Sequence, residues 1–253
     1  MRRFRHALFA SVAVISFTAI ASAADMPVKA PAYAPVLPVS YNWTGFYIGG
    51  QVGGGWASST TTDVDGTTAF PPGFVHSAIS YSGFLGGGYA GFNYQINQFV
   101  IGIDGDYSWA DLTGSASEAS PLISTTTSYN DKINWIATLT GRLGYAMNNW
   151  MIFVKGGGAW AGFSGTTNTV TSGGAAYSSG TNSATRDGWT IGTGVEWGFA
   201  PHWSTKLEYD YVDFSTSNFN STVTRVSNGN VTTPARSATS YLNMVKLGVA
   251  YRF

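Results

Sequence analysis

The chain has 253 residues, of which 10% are charged and 15% aromatic, with 32 glycines and no cysteine. Thirteen basic residues balance thirteen acidic ones, so no basic footprint points to a nucleic-acid partner. The absence of cysteine excludes disulfides and thiolate metal sites, and charge is far below the roughly 25% of a soluble domain.

The first residues read as a secretory signal. Arg2, Arg3 and Arg5 precede the apolar run Ala7 to Ile20, and Ala21-Ser22-Ala23 is a small-residue cleavage site. Residues 1–23 are therefore expected to be removed. Pro27, Pro31, Pro35 and Pro38 then make residues 24–41 an extended periplasmic linker. No later stretch reaches 18 consecutive apolar residues, so no transmembrane helix is expected.

From residue 42 onward the chain alternates with a period of two, which is the signature of strands, eight times over. In the first strand, Thr44 to Trp56, Phe46, Ile48, Val52 and Trp56 oppose Tyr47, Gly49, Gln51 and Gly53. The second, about Ile79 to Tyr94, carries Phe84, Phe92 and Tyr94 on its apolar side. In the third, Phe99 to Ala110, Ile101, Ile103, Tyr107 and Trp109 oppose Asp104 and Asp106. In the fourth, Ile133 to Ala146, Ile133, Trp135, Leu139, Leu143 and Tyr145 oppose Asn134, Thr138, Thr140 and Arg142. Trp150 to Phe163 sets Ile152, Val154 and Trp160 against Lys155, and Gly188 to Phe199 sets Trp189, Ile191, Val195 and Trp197 against Glu196. Trp203 to Phe214 opposes Leu207, Tyr209 and Tyr211 to Lys206, Glu208 and Asp210. The last strand, Tyr241 to Phe253, ends on an aromatic residue and opposes Val245, Leu247, Val249 and Tyr251 to Lys246 and Arg252.

The connections alternate in length. Residues 95–98, 147–149 and 200–202 are short, whereas 57–78, 111–132, 164–187 and 215–239 are long and rich in Ser, Thr, Gly and Asn. Short turns at one end and long polar loops at the other is the pattern of an outer-membrane barrel. Trp56, Trp109, Trp135, Trp160 and Trp189 fall toward the long loops, and Trp150, Trp197 and Trp203 toward the turns. That is a pair of interfacial girdles, for which a soluble barrel has no use. An even strand count places both termini in the periplasm and the long loops outside. The fold class expected is all-β: an eight-stranded antiparallel transmembrane β-barrel over residues 42–253. Leu139 and Val154 should then face lipid near the midplane, and Thr140 should point inward.

The stretches NWTGFYIGGQVGGGW (Asn42 to Trp56) and GGGYAGFNYQ (Gly86 to Gln95) and the YRF ending resemble the small outer-membrane β-barrels of alphaproteobacteria, described as outer-membrane immunogenic or porin-family proteins. The family is more distantly similar to the membrane domain of OmpA-type proteins. The resemblance implies a structural and surface-antigen role in the cell envelope of the Gram-negative outer membrane. Its loosely defined functions extend to pore activity and, in some members, haem binding. No catalytic residues come with it, and no cofactor is expected. The expected partners are outer-membrane lipid and lipopolysaccharide, with the barrel-assembly machinery during insertion and Phe253 as the assembly signal. The chain is expected to be a monomer and not an enzyme. A small porin or solute channel is the alternative.

Parity puts Asp104, Asp106, Arg142, Lys155, Glu196, Lys206, Glu208, Asp210, Lys246 and Arg252 in the lumen. Eight strands leave an interior just wide enough for side chains, so these charges should pair. The expected contacts are Arg142 with Asp104 or Asp106, and Lys155 with Glu196. The alternative is a narrow water path lined by the same residues. Gly86, Gly88 and Gly91 spell GxGxxG, but inside a strand, where a dinucleotide site needs a following helix. His76 with Asp63 or Asp65 could form a catalytic pair or, less well, bind haem. In a polar loop it reads as a solvated residue.

Overall fold

A computed structural model describes residues 41–220 and 222–253. The expected signal peptide and the linker up to residue 40 lie outside the described residues.

The described residues form ten strands: β1 (Gly45–Asp63), β2 (Ile79–Ile96), β3 (Phe99–Ala119), β4 (Thr125–Met147), β5 (Trp150–Thr171), β6 (Ala176–Ala200), β7 (Trp203–Asn220), β8 (Thr222–Arg225), β9 (Val231–Thr232) and β10 (Ala235–Arg252). Each long strand pairs antiparallel with its chain neighbour, and β10 pairs with both β7 and β1. The ring β1 to β7 plus β10 therefore closes with eight strands. Strands β8 and β9 extend it along β6 at one end. Closure satisfies every ladder of the ring, which is the condition for a sheet to cross lipid.

Alternation sorts the side chains as expected. Leu139 is 59% exposed and Val154 53%, while Thr140 is 2% exposed. Aromatic rings meet along the outer wall at both ends. Trp109 lies opposite Trp135, and Tyr107 stacks on Trp135 with centroids 6.1 Å apart. At the turn end Trp150 lies opposite Trp197, 5.6 Å apart and stacked. Between these two rows each strand presents an apolar outer face.

Beyond the outer tryptophan row the strands continue. Most of what reads as long polar loop is β-ladder. β3 runs to Ala119 and meets β4 through residues 120–124, and β5 reaches Thr171 before a tip of residues 172–175. The Ser and Thr stretches lack the apolar alternation that marks a lipid-facing strand. Thr nonetheless suits the pleated backbone, and the extension wraps an apolar plug of Leu112, Ile133, Ile136, Phe163 and Phe214. Ile133 corrects the expected lipid face: it is 0% exposed, inside the barrel. The β4–β5 register slips between Ile133 and Trp135, so one extra β4 residue sits there. A bulge reverses parity, and the alternation read through it puts Ile133 on the wrong side.

The short turns are tight. Asn97 and Asn148 adopt φ of 54°, a left-handed conformation that Asn tolerates better than most residues. Within β2, Gly91 belongs to no nucleotide loop. A Cβ there would run into the Tyr47 hydroxyl, so glycine makes room for an inward tyrosine.

Candidate functional site in the lumen and at its mouth

All ten expected lumen charges are buried, none more than 6% exposed. Asp104, Asp106, Glu196, Glu208 and Asp210 face Arg142, Lys155, Lys206, Lys246 and Arg252, five of each sign. They come from β3, β4, β5, β6, β7 and β10, and the two remaining ring strands add Tyr47, Gln51 and Tyr89.

The pairing departs from expectation. Arg142 donates through Nη2 to Glu196 Oε2 at 2.8 Å, not to Asp104 or Asp106. It reaches Asp104 only through Tyr47, whose hydroxyl lies 3.4 Å from Arg142 Nη1 and donates to Asp104 Oδ2 at 2.7 Å. Lys155 meets Glu208 at 2.7 Å, Asp106 and Asp210 at 3.5 Å and Asp104 at 3.8 Å, and makes no ion pair with Glu196. The register explains the exchange. Arg142 and Lys155 lie directly opposite each other on β4 and β5, so their charges repel and diverge. Glu196 faces Met151, four residues nearer the turns than Lys155, while Asp104 and Asp106 face Thr140 and Thr138, nearer the loops than Arg142. One cation therefore turns down and the other up. Both reach across the lumen, a contact that neighbouring-strand logic does not anticipate.

Lys246 completes the upper group with Asp210 at 2.7 Å, Glu208 at 3.0 Å and Asp106 at 3.3 Å. Lys206 binds Glu208 at 3.0 Å and lies 3.7 Å over the Tyr89 ring. Arg252 joins Glu196 at 3.3 Å and donates to the Trp43 carbonyl at 2.7 Å. Trp43, 0% exposed, and Tyr41 close the turn end with Val100, Met151 and Phe153. Sequence reasoning missed this plug, because Tyr41 and Trp43 precede the first strand. The signal was the pair of rings just ahead of it. Tyr41 occupies the space that any Cβ at Gly198 would take. The charge layer thus lies between an aromatic plug below and an apolar plug above.

A second charged cluster sits at the mouth, beyond the outer tryptophan row. The solvated reading of His76 is wrong: it is 5% exposed, folded under the connection after β1. Its Nε2 lies 3.2 Å from Asp63 Oδ2, and its Nδ1 contacts Glu118 Oε1 and the Tyr129 hydroxyl, the latter at 3.2 Å. Arg236 Nε holds Asp63 from the other side at 2.9 Å. Phe70 and Phe74 meet the imidazole edge-on at 4.9 and 5.2 Å. Asp65, the other acid considered beside His76, is exposed. Burial alone would lower the His76 pKa, but hydrogen bonds and charge from Asp63 and Glu118 outweigh it and raise it. Glu118 is shifted the other way: burial raises its pKa, and His76 overrides this and lowers it. Both ring nitrogens are engaged, so neither is left to accept a substrate proton or to ligate haem iron. The cluster reads as a latch on the connection, built from residues far apart in sequence.

Comparison with known proteins agrees with this architecture. The family model for the outer membrane protein beta-barrel domain matches residues 10–253. The 31 kDa outer-membrane immunogenic protein of Brucella melitensis is 30% identical over 217 residues, covering 83% of this chain and 88% of that protein. The 25 kDa outer-membrane immunogenic protein of Brucella canis is 28% identical over 257 residues, covering 100% of both. Among solved structures, the outer membrane protease OmpT of Escherichia coli overlays with a TM-score of 0.48 at 9% identity, covering 85% of this chain and 98% of that one. The chain belongs to the outer membrane protein β-barrel family, and is an integral β-barrel of the outer membrane.

Proposed function

We propose that the protein is a closed, non-enzymatic outer-membrane barrel that stabilises the envelope and displays its loop end as a surface antigen. The observation that carries this reading is the filled lumen. Five acids and five bases are buried against one another, with apolar side chains closing both ends of that layer. A porin of the same size would need a wetted path, and fully buried, contacting charges leave no room for one. The immunogenic names of the Brucella relatives support exposure of the loop end. In this reading both termini are periplasmic and the barrel is a monomer. Its surroundings are lipid and lipopolysaccharide, and the assembly machinery handles it during insertion.

Planar-bilayer recording of the refolded protein tests the closed state. We expect no stable conductance steps; steps proportional to salt concentration would establish the channel alternative. Protease shaving of intact cells tests the orientation. Cleavage in residues 64–78 with the C-terminus protected is expected, and the opposite pattern would invert the barrel.

A further inference from the structure

The mouth holds a cavity of about 410 Å³, adjoining the His76 latch through Tyr129 and Arg236. Its walls come from the connection after β1, from β4, β5, β6, β8 and β10, and from the residues around β9. Seven threonines line it, and the hydroxyls of two of them, Thr127 and Thr169, lie 3.0 Å apart. Aromatic surface comes from Tyr129, Tyr177 and Phe70. Among the described residues no carboxylate lines the cavity, yet two arginines do. Arg236 is held by Asp63. Arg225 has no carboxylate partner among the described residues. It donates to the Tyr177 hydroxyl at 2.6 Å and lies 5.0 Å over that ring.

We infer that this cavity binds a carboxylated sugar: a hexuronic acid, free or as the acidic unit of a glycan. The volume is within the range of small-ligand sites, about 300 to 1,000 Å³. Threonine hydroxyls both donate and accept, which matches the hydroxyls of a sugar. The tyrosine rings cover an apolar sugar face, and Arg225 supplies the planar fork that recognises a carboxylate. A bare inorganic anion would leave the threonine and aromatic walls unused. An apolar ligand would shut the Arg225 guanidinium away from water without supplying a counter-charge. The inference goes beyond the closed-barrel reading and is tested by binding, where that reading is tested by conductance.

Calorimetric titration of the refolded mature protein with glucuronic acid, glucose and acetate decides the matter. Saturable glucuronate binding is expected, at least about tenfold tighter than that of either control, as fits one charge-assisted contact. Arg225→Gln should abolish the preference over glucose, and Arg225→Lys should keep part of it. Thr169→Val should weaken glucuronate binding while leaving the charge selectivity. Heat-modifiable gel mobility confirms that each variant is folded. Failure of the folded parent to bind glucuronate saturably overturns the inference, as does equal affinity for acetate. A folded Arg225→Gln protein that retains the preference also overturns it. Displacement of glucuronate by purified lipopolysaccharide would point to an envelope glycan as the source, and displacement by oligogalacturonate alone to a free one.

Discussion

Lys155 and His76 are both basic side chains buried among carboxylates, at different levels of one barrel. Lys155, at the level of the lipid, meets four acids contributed by two strands, and Lys246 shares three of them. His76, at the mouth, rests between Asp63 and Glu118 beneath one connection. The bases of the lower cluster are lysines and arginines, and every ring strand contributes to its layer. The upper one depends on an imidazole, the side chain that ordinarily titrates near neutral pH. A layer tied to every ring strand holds the lumen side chains in place from all sides. A titratable latch sits on a connection beyond the tryptophan row, outside the lipid.

The largest effect should come from breaking the plug. Lys155→Met leaves its acids facing one another in the lumen with a cation missing, at a cost of about 3 to 5 kcal/mol. Urea unfolding of the barrel refolded into lipid measures it; a loss within error would mean that water already screens the layer. Next, Leu139→Arg puts a charge into lipid and should cost about 2 to 4 kcal/mol near the midplane. The inward neighbour offers no safe control. Thr140 is 2% exposed and its hydroxyl donates to the Asp104 carbonyl at 3.2 Å, so Thr140→Arg would overpack a filled lumen. Equal stability of the parent and the Leu139 variant would refute the assigned face.

The latch should respond to pH. His76 has its pKa raised above 6.5, so its contribution is full below that value and is lost as pH rises through the folded pKa. Glu118 has its pKa lowered below 4.5, so its contribution is present above that value and is lost as pH falls through the folded pKa. Both are intact between roughly pH 4.5 and 6.5. The groups facing His76 are Asp63, Glu118 and Tyr129, with Arg236 behind Asp63. Limited proteolysis within residues 64–78 should therefore be slower at pH 5.5 than at pH 8.5, and His76→Gln should erase the difference. A pH dependence unchanged in that variant would place the titrating group elsewhere. The smallest equilibrium effect is expected from deleting Phe253, whose ring is exposed and whose backbone N–H bonds to the Phe46 carbonyl at 2.9 Å. Its loss should slow insertion and leave the finished barrel's stability almost unchanged. Equal rates of appearance of folded protein in the outer membrane would remove its role as an assembly signal.

Much of this was legible from residue order alone. A period of two is imposed by the pleat itself, so the inward set from Asp104 to Arg252 and the outward set from Phe46 to Phe253 follow from counting. Closure into eight strands followed from the number of alternating segments and the rhythm of their connections. The tryptophan rows followed from the two lipid interfaces they serve. Parity is local, however, and says nothing across the lumen. The choice of Glu196 by Arg142, and of Glu208 by Lys155, depended on the register between β4, β5 and β6, which set two cations face to face. The bulge that turned Ile133 inward left no mark in composition. His76 appeared solvated because its partners Asp63 and Glu118, and the Arg236 that holds Asp63, come from three other elements, and only closure of the ring brings β1, β3 and β10 beneath one connection. Alternation along a strand is decided by covalent geometry, whereas the partner of a buried charge is decided by which strands the tertiary fold places around it.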